Sequence, residues 1–133
     1  MKSVVLDTHA LVWFLQKNKN LSKKALHLIL SNDNLKVIPL IVLCEVHYLH
    51  ARGRFNLSAG ETVARVTDLD DFEIVSHSQE QIPHLLSSLD IHDALIVAVA
   101  LTRQEKDQSE VVIISKDDQI RKHSPLPVIW DDS

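Results

Sequence analysis

Apolar residues along this chain fall into short runs whose spacing alternates between strand-like and helix-like. Val4, Val5 and Leu6 form a β-branched apolar run with the composition of a strand buried on both faces. Residues 10–15, Ala-Leu-Val-Trp-Phe-Leu, are apolar enough for a buried helix. The polar stretch at 18–20 reads as a turn. Ser22 is placed to cap a second helix to about Leu30, with Ala25, Leu26, Ile29 and Leu30 on one face. Asn32, Asp33 and Asn34 break it, and residues 35–38 predict a second strand. Pro39 suits the first turn of a third helix over 40–52, where its missing N–H is no loss, and Gly53 ends that helix.

The same alternation continues. Ser58 opens a fourth helix to about Leu69, and Phe72–Val75 predicts a third strand. Ser78 can cap a fifth helix through about Leu89, with Pro83 near its first turn. Residues 91–103 predict a sixth helix, Val111–Ile114 a strand, 117–122 a short helix and 128–130 a last edge strand. With two glycines and no repeat or low-complexity tract, the pattern predicts a single α/β domain over residues 1–133. Its architecture is three-layer α/β/α with a mainly parallel sheet and right-handed crossovers. Strand order is not legible.

Composition narrows the function. The 133 residues are 45% hydrophobic and 24% charged, ordinary for a soluble globular protein able to bury a core. The single cysteine, Cys44, excludes an internal disulfide and a cysteine metal cage, which suits a reducing cytoplasm. Asp7 interrupts the N-terminus before any signal-peptide core forms, and the longest apolar runs are too short to span a bilayer. The expectation is a cytoplasmic protein with no membrane association. A net charge of −4 counts against a sequence-blind nucleic-acid coat. It counts less against an enzyme whose acids hold cations, because the bound ions reverse the local charge.

Four acids share a topological position. Asp7 stands at the carboxyl end of the first strand, where open α/β sheets place their ligands, although a plain helix N-cap would also favour Asp there. Asp117 follows the Val111–Ile114 strand in the same way. Glu45 lies about one and a half turns into an apolar helix, where a carboxylate is costly unless it is paired, metal-bound or turned to water. Asp93 opens a helix otherwise apolar enough for the interior, favoured there by the helix dipole. Asp90, three residues earlier, could face the same way, and one of the two could be only a cap. In a parallel sheet these positions belong to one edge. Clustered carboxylates repel unless a divalent cation sits among them, and an all-oxygen site favours Mg²⁺ or Mn²⁺ over Zn²⁺. Such a site activates water and steadies a phosphoryl oxygen in an in-line displacement.

At these residues the chain resembles PIN domains, in particular toxin ribonucleases of the VapC type. Val4-Val-Leu-Asp7-Thr-His-Ala-Leu-Val-Trp13 resembles the first motif, and Pro39 to Val46, with Glu45, the second. Asp90-Ile-His-Asp93-Ala-Leu-Ile-Val-Ala98 is similar to the third, and Ile114-Ser115-Lys116-Asp117 to the fourth. The resemblance runs from the first strand to Trp130. It implies a parallel sheet of about five strands and Mg²⁺- or Mn²⁺-dependent hydrolysis of RNA, tRNA or another structured RNA included. Asp7, Glu45 and Asp93 would be metal ligands, with Asp117 completing the site. Ser115 and Lys116 would contact substrate. It also implies a homodimer held inactive by a small cognate antitoxin. Two departures stand out: Ser115 where Thr is common, and Val42 where a hydroxyl residue often precedes the glutamate, leaving Glu45 one orienting partner short.

Other features read more plainly. Eight histidines invite zinc, but His47 and His50 lack a third ligand at motif spacing and suit a surface. His92 is turned away from the face of its neighbour Asp93, and His9 suits packing better than base catalysis. Trp13 could be a stacking platform for bases, though core or dimer packing is the simpler expectation. Cys44 is expected to be buried. Arg52, Arg54, Lys116 and the Arg121-Lys122-His123 run are the local positive charges for RNA. With only Gly53 and Gly60, no phosphate-cradling glycine loop exists. Two rival functions follow. One is a catalytically inactive PIN-like module that binds RNA or protein. The other is an aspartyl-nucleophile phosphatase, disfavoured because His9 stands where a second Asp belongs.

Overall fold

In a computed structural model, which describes residues 2–130, five strands form one all-parallel sheet with helices on both sides. The strands are β1 (Lys2–Leu6), β2 (Asn34–Pro39), β3 (Phe72–Val75), β4 (Val111–Ile114) and β5 (Val128–Ile129). Their order is β3-β2-β1-β4-β5, so β1 is central. Val4, Val5 and Leu6 are fully buried, as expected for a strand covered on both faces. The chain moves outward from β1 through β2 to β3, then crosses back to lay β4 on the other side of β1. That reversal puts a crevice beyond the carboxyl ends of β1 and β4, the usual ligand position in open parallel sheets.

The α-helices are α1 (Thr8–Gln16), α2 (Lys23–Leu30), α3 (Leu40–Ala51), α4 (Ala59–Thr67), α5 (Ile91–Asp107) and α6 (Asp118–His123). Ser22 caps α2 and Ser58 caps α4, the latter through a reciprocal box with Glu61. Gly53, at φ +73°, turns the chain out of α3. A main core of sheet and helix side chains includes Leu11, Ile29, Ile96 and Ile113. A smaller cluster of Val12, Val46 and Phe55 ties α1 to α3.

Three expectations are corrected. The predicted fifth helix is only a 3₁₀ turn at Gln79–His84, because Pro83 lies inside it and cannot donate to an α-helical ladder. The helix after it runs to Asp107, not 103. Its last turn is apolar nowhere but is tied down by ion pairs from Arg103 to Glu73 and Asp107 and from Lys106 to Glu80, with His84 Nε2 lying 2.8 Å from Glu105 Oε2. Cys44 is exposed, because it shares a helical stripe with Leu40 and Tyr48, both also exposed. No helix among the described residues is long and apolar enough to cross a membrane.

Candidate active site

Beyond the ends of β1 and β4 lies a cavity of about 500 Å³ whose lining includes Asp7, Glu45, Asp90, Asp93 and Asp117. Every acid singled out from the sequence reaches it, from four separate segments of the chain. Three of them are helix N-caps. Asp7 Oδ1 accepts from the Ala10 amide at 2.9 Å and caps α1. Asp90 Oδ1 accepts from the Asp93 amide at 2.9 Å and caps α5. Asp117 Oδ1 accepts from the Gln119 and Ile120 amides at 2.8 and 3.0 Å and caps α6. Capping and lining the cavity are therefore one arrangement for Asp7. In all three the cap bonds fall on Oδ1, so the second carboxylate oxygen is not consumed by its helix. The positive ends of three helix dipoles also favour negative charge here.

Local bonds fix the rest. The Asp7 amide donates to the Ile114 carbonyl at 3.2 Å, joining the ends of β1 and β4. Fully buried Ser115 accepts the Asp117 amide on its Oγ at 3.0 Å, which holds the loop after β4. Glu45 is half-buried in the middle of α3, and its Oε1 accepts from Thr8 Oγ1 at 2.8 Å. Thr8 thus supplies the orienting hydroxyl that Val42 cannot. That role was missed in the sequence because the partner is 37 residues away. The N-terminus of α3 is held by another distant group: the Ile41 amide donates to His77 Nε2 at 2.9 Å, and His77 Nδ1 meets Gln81 Oε1 at 2.8 Å.

The electrostatics record the same convergence. Burial pushes the Asp7 carboxyl above its ordinary range, opposed by the Ser115 hydroxyl, the Ala10 amide and His9, while Asp117 pushes further upward. Asp93 is pushed up to about 6, first by burial and then by Asp117, Asp90, Glu45 and Asp7. Lys116, whose Nζ lies 5.8 Å from the Trp13 ring centre, brings a positive charge to the cavity, and His9 and His92 line it as well. His92 lines the cavity, contrary to expectation, because it stands in the first turn of α5 where that helix starts at the cavity rim. Trp13 packs on Trp130 with ring centres 5.6 Å apart, as the packing expectation has it, and it also lines the cavity. The His9 ring lies beside Trp13, tilted at 54° with centres 5.3 Å apart. His50 meets the Phe55 carbonyl at 3.0 Å, a structural use.

The donors suit a hard divalent cation. Among the described residues, no three His, Cys, Asp or Glu side chains close on one point as a ligand cage. The carboxylates line a common space instead. Such openness is at odds with a closed zinc site but agrees with Mg²⁺, which keeps several of its waters and is not held in an all-protein cage. Asp7, Glu45, Asp93 and Asp117 are the groups that could hold it, and the charge they crowd together is what it would neutralise.

The PIN domain family profile matches residues 4–124. No curated protein sequence matches the chain. Among solved structures, it is similar to one of VapBC2 from Rickettsia felis bound to a DNA fragment from their promoter. That similarity has a TM-score of 0.69 at 15% identity and covers 98% of this chain and 99% of the other. A structure of VapBC-1 from nontypeable Haemophilus influenzae is similar with a TM-score of 0.64 at 14% identity, covering 96% of each chain. The PIN domain endonuclease Utp24 is similar with a TM-score of 0.52 at 17% identity, covering 98% of this chain and 85% of the other. At such identities the likeness is one of fold.

Proposed function

The chain belongs to the PIN domain family, and from that premise we propose that it is a metal-dependent endoribonuclease, the toxin of a toxin–antitoxin pair. One observation carries the reading: five carboxylates from four segments line a single cavity at the reversal point of a parallel sheet. Gathering acids there is costly without a cation, since burial first and then the repulsion of Asp117, Asp90, Glu45 and Asp7 raise the carboxyl of Asp93 to about 6.

In this reading Asp7, Glu45 and Asp93 hold Mg²⁺ or Mn²⁺ and Asp117 completes the site. What a bound divalent ion supplies is activation of water and neutralisation of charge on the phosphoryl oxygens. The chain's own groups do the remaining work. The cap bonds of Asp7 and Asp117 and the Thr8 bond to Glu45 hold those carboxylates in fixed orientations, so little reorganisation is needed as charge develops. Ser115 keeps the Asp117 loop closed over the end of β4. Lys116 offers the phosphate backbone a cation at the rim.

The toxin assignment draws on the likeness to the VapBC structures. By it, a small cognate antitoxin binds the chain and keeps it inactive. A homodimer and a cytoplasmic setting belong to the same proposal. The test is Asp93→Asn, assayed for RNA cleavage and, by calorimetry, for Mn²⁺ binding. Both are expected to fall by at least about 10-fold, the usual effect of disturbing a metal site. Cleavage as fast as that of the unaltered protein refutes the assignment.

A further inference from the structure

A second cavity, of about 460 Å³, adjoins the acid cavity and shares Thr8, His9, Glu45 and His92 with it. Its far end is built from α3, where the Tyr48 ring and the Arg52 guanidinium both line it. Tyr48 is 58% exposed, a large aromatic left in water. The Arg52 guanidinium carbon lies 5.7 Å from the centre of that ring. A second pair of the same kind, Lys116 with Trp13, lines the acid cavity itself. Each of the two adjoining cavities is therefore lined by a cation beside an aromatic ring, in a chain whose net charge is −4.

Planar rings beside cations along a groove are what single-stranded nucleic acid requires, because every base has a face to stack and every linkage a charge to meet. We propose that the Tyr48–Arg52 cavity is a base-binding subsite for an unpaired nucleotide adjoining the scissile phosphate of RNA. The base stacks on Tyr48 and Arg52, and the shared wall of His9 and His92 leads its phosphate toward the acids. A paired base is unavailable for this stacking, so the subsite selects single-stranded or looped RNA. The inference rests on the nuclease reading above for its scissile phosphate, and adds the pair of side chains that contacts the base.

The test measures binding of fluorescein-labelled single-stranded oligouridine, oligoadenosine and an RNA duplex by anisotropy, in an Asp7→Asn background. Tyr48→Ala is expected to weaken single-strand binding about 5- to 150-fold, the span for loss of one base–aromatic stack. Tyr48→Phe and Tyr48→Trp are expected to stay within about 3-fold of Tyr48, since they keep the ring. Duplex binding should not change. Thermal unfolding shows that each variant is folded. Equal single-strand affinity for Tyr48→Ala and the parent overturns the proposal. So does an equal loss in Tyr48→Phe, or a loss that extends to the duplex. Cleavage is followed separately with an otherwise unaltered chain. Asp7-dependent cleavage with Tyr48-independent affinity removes the subsite and leaves the nuclease. Tyr48-dependent affinity with no Asp7-dependent cleavage removes the nuclease and leaves a bare RNA-binding groove.

Discussion

Replacing Asp93 by Asn should make the metal-free protein more stable at neutral pH, while weakening the proposed cleavage. The carboxyl is pushed from its ordinary 3.8 up to about 6 by burial and by four neighbouring carboxylates. The folded state thus holds its proton more tightly than the unfolded chain does. Asp93 costs nothing below pH 4, becomes destabilising as pH rises from 4 to 6, and stays so above. At about 1.36 kcal/mol per pH unit, the gap gives an upper bound near 3 kcal/mol. The side chain is only partly buried, and solvent screening reduces this to about 1–2 kcal/mol. Removing the charge also forfeits its attraction to the N-terminus of α5, about 0.5 kcal/mol. A net gain of about 1 kcal/mol remains, or roughly 3–5 °C in Tm for a chain of this size. The assay is thermal unfolding with EDTA from pH 4 to pH 8, repeated with Mn²⁺. The gain should vanish by pH 4. Mn²⁺ should raise the Tm of the unaltered protein and leave that of Asp93→Asn nearly unmoved, because an ion bound only by the folded state stabilises it by mass action. A variant destabilised at pH 7, or one whose difference does not vary with pH, refutes the reasoning.

Three further substitutions probe the supports of the site. Thr8→Val removes the hydroxyl that orients Glu45 and should lower kcat about 10- to 100-fold with little change in the urea midpoint. Ser115→Ala leaves the Asp117 amide without its acceptor and should cost about 0.5–1.5 kcal/mol in urea unfolding, with cleavage lowered as the loop loosens. His77→Ala uncaps α3 at Ile41 and should cost about 1 kcal/mol, whereas the same change at exposed His47 should cost nothing measurable.

Much of this arrangement is legible in the sequence, and the exceptions have identifiable causes. Local patterns located all five strands, because each is short, apolar and bounded by polar residues. The strand order was hidden because it depends on where the chain goes after β3, which no local signal specifies. Position relative to strand ends placed Asp7 and Asp117, and both are where that reasoning put them. Glu45 was undecided between water and cavity. Its answer lies in Thr8, which meets it only once Val12, Val46 and Phe55 have packed α1 on α3. Lys36 carries no local signal of burial within β2. It is 1% exposed, and its ammonium is satisfied by the Ser31 and Asn34 carbonyls, both at 2.8 Å. Apolar composition alone misjudged Cys44, since exposure follows the helical stripe and not the local average.

The most direct measurement is cleavage of pooled tRNA and total RNA by the purified protein with Mn²⁺, with Mg²⁺ and with EDTA, beside an Asp7→Asn protein purified identically. Asn caps a helix as well as Asp does, so α1 survives the change and only the carboxylate is lost. The account predicts cleavage that requires the metal and disappears with Asp7→Asn. Equal cleavage by both proteins, or cleavage undiminished in EDTA, would contradict it.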